Sequence, residues 1–550
     1  MIRLIRNILS AIKEELKKIV SGLGIVVTPP IEIDIPKDPG FGDFSTNLAM
    51  RLAKTARKNP RELAAEIVAR IDCRKLNLDK AEVAGAGFIN FYIDRRYLSQ
   101  VIFQIFREQE NYGTSAIGQG TKVNLEFVSA NPTGYLHIGH GRGAAYGDSL
   151  ARVMRKAGYE VTTEHYVNDA GNQIHNLTLS IHERYKELFG LPCDLGKDGY
   201  YGPEIIEIAK LIKAEKGDYY LHNEWYRDIR AFGLNYLLAG LKRDLREFNV
   251  TFDVWFSEQS LYDSGEVQKV LDFYRDNGYV YEKDGAVWLK TTERGDEKDR
   301  VLIKSDKSLT YITPDIAYHA NKLDRGFNYL ITVLGADHHG HILPLKIALE
   351  LLGRDTGNIH VEILQMVRVI QNGAEIKMSK RSGKAITLRD LIDEVGTDAL
   401  RFMYVEKALG THIDLDLDLA VKKSNENPVY YVQYAYARIC SLFRVHAEQG
   451  LTYQPVAEFK ALDVEKAKDL LFALAVYPLY VEEAAVKRLP HKIAQYLLLL
   501  ASGLHSYYNS EKIITDDPLE TAEKMTLMDA VRTVLRDGLN LIGVNVKEKM

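Results

Sequence analysis

The sequence predicts a Rossmann-type α/β domain with a helical insertion, an N-terminal α+β add-on domain and a C-terminal all-α bundle. Three observations carry this. Val123 to Tyr166 reads as strand, loop, helix and strand, which is a βαβ crossover and so a parallel sheet. A buried-type apolar run resumes at Leu330–Leu334, with another strand candidate at Val361–Met366, after a long helical and charged stretch. From about Asn427 the apolar residues recur at helical spacing nearly to the end.

The chain of 550 residues has room for about three domains. We place them at 1–115, 116–400 with an insertion at about 174–300, and 401–550. With 46% hydrophobic and 27% charged residues, the composition is that of an ordinary globular protein. The net charge of −4 gives no overall basic signature, so any nucleic-acid surface must be local. Cys73, Cys193 and Cys440 are sparse and odd in number. That argues for reduced thiols in a cytoplasmic setting, and against disulfides or structural zinc.

In the first segment, Ile5, Ile8, Ile12, Leu16 and Ile19 form one stripe, interrupted by charges such as Glu14, Lys17 and Lys18. This is an amphipathic helix, not a leader or a membrane span. The longest apolar run elsewhere, Tyr496–Ala501, is too short to span a bilayer. A strand is expected at Ile31–Ile35. Ser45 or Asp43 is a candidate cap for the helix carrying Leu48 and Leu52. Pro60 opens another helix, and Val83–Ile93 ends in a strand. Phe41, Phe44 and Asn47, in and beside a Gly-rich loop, suit stacking on an unpaired nucleotide. Aromatics anchoring the loop in its own core fit equally well.

The middle segment opens on Glu126-Phe-Val-Ser-Ala-Asn-Pro-Thr-Gly-Tyr-Leu-His-Ile-Gly-His140. The strand breaks at Asn131–Gly134 and a helix starts near His137. Helix-start N–H groups attract an anion. Gly139 and Gly141 let a ring or phosphate approach the backbone. His137 and His140 share one face of the first turn and could donate to phosphate oxygens. A packing turn is the plain alternative. A zinc site lacks its remaining ligands. From about Ile174 to Asp299 the pattern is helical and charged, the expected insertion.

Tyr311-Ile-Thr-Pro-Asp315 leads into a helix, and Leu330–Leu334 leads into Gly335-Ala-Asp-His-His-Gly-His341. For this histidine cluster a metal, a polar ligand and a helix cap all stay open. Lys377-Met-Ser-Lys-Arg-Ser-Gly-Lys384 sets four cations among small residues, a grip for an anion or a solvated basic loop. Ile386–Val395 is a helix. In the last segment Tyr430, Tyr431 and Tyr434 begin a tyrosine-rich helix, as core filler or as stacking partners for RNA bases.

With these residues in hand, the chain resembles the class I aminoacyl-tRNA synthetases, and among them the arginyl family. His137-Ile-Gly-His140 and Lys377-Met-Ser-Lys380 are similar to the two class I signatures, in the right order. Gly42–Asn47, Glu126–Pro132, Tyr311-x-Thr-x-Asp315, Asp398-Ala-Leu-Arg401 and Asn427–Ala435 resemble arginyl-family segments across nearly the whole chain. The resemblance implies activation of L-arginine by ATP with Mg²⁺, then transfer to the 2′-hydroxyl of the terminal adenosine of tRNA(Arg). It implies that Asp315 and Tyr311 hold the guanidinium, and that Asn131 and Glu126 hold the backbone end of the amino acid. His137 and His140 would contact the ATP phosphates, with Gly139 leaving room for adenine. Lys377, Met378, Ser379 and Lys380 would flank ATP, the lysines neutralising the leaving pyrophosphate. Phe41, Phe44, Asn47, Tyr430 and Tyr434 would meet tRNA. The second signature is intact, and Gly134 stands where family members with a degraded one carry a lysine. Family members usually need bound tRNA before they activate arginine.

A cytoplasmic monomer without a protein-held metal or structural zinc is expected. A guanidinium offers five donors and a fixed charge, so carboxylates and oxygen acceptors are the fitting pocket. The rivals are a cysteinyl-type synthetase, which lacks its Cys/His zinc set here, and a non-catalytic tRNA-binding paralogue, which would not need both signatures.

Overall fold

Five segments pair in parallel to make the central sheet: β1 (Lys122–Glu126), β2 (Glu160–Val167), β3 (Val254–Ser257), β4 (Tyr329–Gly335) and β5 (Ile359–Leu364). The structure, a computed structural model, describes residues 4–26, 30–36, 38–377 and 386–550. Strand order is β5-β4-β1-β2-β3. The order reverses between β1 and β4, so a crevice opens beyond their carboxyl ends, where open α/β sheets take their ligands. Helix α1 (Ile138–Lys156) crosses from β1 to β2, and α2 (Ile312–Asp324) precedes β4. A Cβ on Gly147 would lie 2.2 Å from the Phe127 ring, so this glycine lets α1 lie close on the end of β1.

β3 falls inside the stretch expected to be insertion. It has only four residues, all half-buried, so no periodicity marks it. A side chain sets its register: Asp253 accepts from Thr163 N and Thr163 Oγ1, both at 2.8 Å. The helices Gly171–Glu187, Pro203–Lys216 and Tyr226–Glu247 pack on their own core of Ile181, Tyr185, Ile208 and Ile229. A small antiparallel sheet (Val280–Lys283, Ala286–Leu289, Arg300–Ile303) follows β3.

The N-terminal segment is a three-stranded antiparallel sheet (Phe44–Thr46, Leu78–Ala84, Phe88–Ile93) with helices around it. Of the strand expected at Ile31–Ile35, the described residues show only an isolated bridge from Asp34 to Ser45. Asp43 and Ser45 do not cap the next helix; Asn47 sits at that position. Asp43 is buried and accepts from Ile93 N at 2.7 Å and from Arg95 at 2.9 and 3.0 Å. Asn59 does cap the helix that Pro60 opens.

Four long helices close the chain: Pro428–Glu448, Lys468–Val486, His491–Ser510 and Pro518–Leu541. They share one hydrophobic core with the N-terminal segment and α1. Arg401, with no exposed surface, joins them to the sheet domain. It donates to Asp148 of α1 at 2.6 Å and to the carbonyls of Phe248, Asn249 and Ile542 at 3.0–3.1 Å. Among the described residues, no helix is long and apolar enough to cross a membrane.

Candidate active site

The crevice begins with a strained turn. After β1, Val128 and Ser129 take φ of 68° and 41° in succession, an unfavourable region for a β-branched residue. Hydrogen bonds hold the turn. Ser129 Oγ donates to Glu126 at 2.9 Å and accepts from Tyr166 N at 3.1 Å. The turn carries Asn131 to the rim, where its side chain donates to Gln173 at 2.8 Å.

The two histidines form a reciprocal cap on α1. His137 Nδ1 accepts from Gly139 N at 3.1 Å and His140 N at 3.4 Å, while His140 Nδ1 accepts from His137 N at 3.2 Å. Their rings stack at 3.6 Å between centroids. Both Nδ1 atoms therefore carry lone pairs, which puts the proton of each neutral ring on Nε2. Burial pulls the His137 pKa below its ordinary value. Burial, with His137 and His165 beside it, pulls His140 down to about 3. The expected open helix end is thus already occupied by imidazole, and what the pair offers an anion is Nε2–H. Gly139 makes room for a different ring than expected. A Cβ there would sit 3.0 Å from His137 Cε1, so the glycine admits the histidine itself.

α2 supplies the charged floor. Tyr311 precedes its first turn and is 76% exposed, and Asp315 follows one turn later with its side chain 40% exposed. Deeper on the helix, Lys322 Nζ donates to Glu126 at 2.6 Å, with the Tyr318 ring 4.2 Å away. Arg325 grips Glu164 with two bonds of 2.6 and 2.8 Å, and Tyr318 Oη donates to the same carboxylate at 2.7 Å. Both inner carboxylates are thereby neutralised by permanent cations.

Asp315 instead faces the imidazole of His319. Burial pushes the Asp315 pKa up. His319, Lys322 and His341 outweigh that and hold it below the usual carboxylate range. Near it lies Glu258, just after β3, buried and hydrogen-bonded by Tyr166 and by Tyr262. Burial raises its pKa, and no cation is paired with it among the described ion pairs. Sequence reasoning missed Glu258, Tyr166, His319 and Lys322. The last two had a signal: positions 315, 318, 319 and 322 share one helical face. Glu258 had none, because its strand is too short to be read.

Lys377 is exposed and follows the strand Ala374–Ile376. Met378, Ser379 and Lys380 lie outside the described residues, as do the side chains of His338 and His339. The chain returning from the basic loop meets the first signature directly: Leu388 N donates to Leu136 O at 2.7 Å, and Thr387 bridges His137. Buried Arg142 of α1 adds bonds of 2.7–2.9 Å to the carbonyls of Gln365, Ala408 and Thr411, so the strands carrying the loop dock on α1. Among the described residues, no three His, Cys, Asp or Glu side chains gather as metal ligands.

The aromatic candidates for RNA separate. Phe41 is 53% exposed. Phe44 is 1% exposed and packs edge-on against Phe472 with ring centroids 5.7 Å apart. Phe44 therefore has no free face for a base to stack on; it anchors the loop from below. The Asn47 side chain makes no cap bond and its Oδ1 has no partner. Tyr430 and Tyr434 are half-buried and stack at 5.9 Å with planes 7° apart, continued by His505 at 5.8 Å from Tyr434.

With this geometry in place, three family models match in turn. They are the arginyl tRNA synthetase N-terminal domain over residues 6–93, the class I (R) tRNA synthetase catalytic domain over 101–414, and the DALR anticodon binding domain over 432–550. An arginine–tRNA ligase of Bacillus subtilis is 50% identical over 546 residues, 98% of each chain. One of Bacillus licheniformis is 49% identical over the whole of both chains. Among solved structures, an arginyl-tRNA synthetase from Campylobacter jejuni is 34% identical with a TM-score of 0.76, covering 83% of this chain and 100% of its own. One from Thermus thermophilus has a TM-score of 0.75 at 22% identity, covering 98% and 100%, a likeness of fold.

Proposed function

The chain belongs to the arginyl-tRNA synthetases of class I, and on that footing we propose how its crevice divides the work of an arginine–tRNA ligase. ATP and L-arginine give arginyl-adenylate and pyrophosphate, and arginine then passes to the terminal adenosine of tRNA(Arg). The observation that carries the residue assignment is the charge pattern of the crevice. Two inner carboxylates are neutralised, while Asp315 and Glu258 have no permanent cation bonded to them among the described residues.

A guanidinium entering there meets Asp315, Glu258 and the Tyr311 hydroxyl, complementary to its five donors. Asn131 and Glu126, on either side of the strained turn, take the backbone end. His137 and His140 direct Nε2–H at phosphate oxygens. As neutral donors they stabilise charge that grows on the phosphorus without adding a cation that must first be desolvated. Lys377 and Lys380 meet the departing pyrophosphate, with Met378 and Ser379 beside the nucleotide. Mg²⁺ would accompany ATP and be held mainly by its phosphates. Activation that waits for tRNA, a monomeric state and a cytoplasmic location belong to the same reading.

Arginine-dependent ATP–pyrophosphate exchange, with and without tRNA, tests this; no exchange with any arm would refute it. Lys380→Ala is expected to slow adenylation while tRNA affinity holds. If affinity fell and chemistry did not, the loop would be a docking surface instead.

For tRNA, Phe41, Asn47, Tyr430 and Tyr434 are the proposed contacts. Phe41→Ala should raise the tRNA KM without unfolding the protein, since one stacked base is worth roughly 1–3 kcal/mol. Phe44→Ala should do the reverse, costing about 3–5 kcal/mol of stability as a buried aromatic. Aminoacylation at varied tRNA and thermal melts of the two variants separate the roles.

A further inference from the structure

We propose that His319 is a positioning residue for arginine selection, clamping Asp315 in the orientation the guanidinium needs while leaving its charge free. The inference rests on the reading of Asp315 as a guanidinium ligand.

His319 stands one turn after Asp315 on α2 and is 3% exposed. Its Nδ1 lies 2.9 Å from the Asp315 carbonyl oxygen and 3.0 Å from Asp315 Oδ1. Both neighbours are acceptors, so Nδ1 must carry the proton and donate to them. That settles the tautomer as the opposite of the one the signature histidines adopt.

Without that bond, an aspartate on a helix samples more than one χ1 rotamer and a broad χ2. Bidentate recognition of a planar guanidinium depends on the carboxylate plane, and an error of about 1 Å in such a contact can cost on the order of 100-fold. A single bond from a buried ring fixes one oxygen, Oδ1, and with it the carboxylate plane. The ring is itself held edge-on by Tyr318, with centroids 5.5 Å apart.

The choice of imidazole is the informative part. The same helix sets a lysine on Glu126, and the residue that caps its end sets an arginine on Glu164. Each is a permanent cation held against its carboxylate in a fixed ion pair. A lysine or arginine bonded to Asp315 would imitate the substrate and compete with it. An imidazole is not a permanent cation, and through Nδ1–H it bonds one oxygen without filling the place of the incoming guanidinium. The two inner carboxylates thus have a permanent cation beside them, and Asp315, the one a guanidinium must approach, has an imidazole.

The test uses the full chain in aminoacylation with tRNA(Arg), varying arginine, ATP and tRNA separately. His319→Leu keeps the volume and removes the donor. Its arginine KM should rise at least ten-fold, with the KM for ATP and for tRNA within two-fold of the parent. His319→Asn returns an N–H near the Nδ1 position and should recover the arginine KM to within about three-fold. A thermal melt of His319→Asn shows that the comparison is made on folded protein. Asp315→Asn is the control. If it raises the arginine KM and His319→Leu does not, the positioning role is overturned while the Asp315 reading stands. If Asp315→Asn leaves the arginine KM unchanged, the Asp315 reading itself fails. A rise of all three KM values together in His319→Leu, unrelieved in His319→Asn, would mark a packing role only and would also overturn the proposal.

Discussion

Asp315→Ala is expected to lower kcat/KM for arginine by roughly 30- to 150-fold. That is the kinetic equivalent of losing about 2–3 kcal/mol, the usual loss when one side of a desolvated charged pair is removed. The loss should fall on arginine and spare ATP, because Asp315 lies on α2 and the phosphate-facing histidines lie on α1. The pH dependence follows from the sign of the shift. The folded-state pKa of Asp315 is held low by its neighbours despite burial. Its charge is therefore present through neutral pH and is lost only as pH falls below the ordinary aspartate range. On acidification the arginine KM should therefore rise first through Glu258, whose pKa burial raises, while the Asp315 share holds down through the ordinary aspartate range; KM in steady-state exchange with tRNA present, compared with Glu258→Gln, separates the two. An unchanged arginine KM and kcat in Asp315→Ala would refute the pocket assignment.

What the sequence reveals here depends on whether the signal is local. β1 alternates apolar and polar residues, β4 is a continuous apolar run, and β2 completes the strand–helix–strand spacing, so the three are readable as a parallel sheet. β3 was not, because Val254–Ser257 is too short to show a period and relies on Asp253 and Thr163, 90 residues apart, for its register. The histidine pair was legible as a polar helix start. Its reciprocal capping was not, because only the fold decides whether an imidazole accepts from its own helix or waits for a phosphate. The loop aromatics show the same divide. Phe41 and Phe44 are three residues apart with the same side chain, and only packing against Phe472 separates them. The Asp315, His319 and Lys322 face was present in the spacing all along. Reading it required knowing that Glu126 and Glu164 lie across from it.

That opposition makes Lys322 the other variant of large effect. Lys322→Met removes a cation with no exposed surface and leaves Glu126, 6% exposed, without its partner at 2.6 Å. Breaking a buried pair from one side costs about 3–5 kcal/mol, because the remaining charge stays desolvated. The Tyr318 ring, 4.2 Å from the ammonium, loses a favourable contact as well. Lys322→Met should therefore melt at a clearly lower temperature and lose aminoacylation. Replacing both partners with similar-sized neutral groups is often nearly neutral for stability. The double variant Lys322→Met with Glu126→Gln should thus regain most of the lost melting temperature. Activity should not return with it, because the carboxylate proposed to meet the amino group of arginine is then missing. The double variant separates the two demands on Glu126. If stability and activity return together, Glu126 is only the counter-ion of Lys322, and Asn131 takes the amino-acid backbone without it. If stability returns alone, the same carboxylate both pins α2 to β1 and faces the substrate.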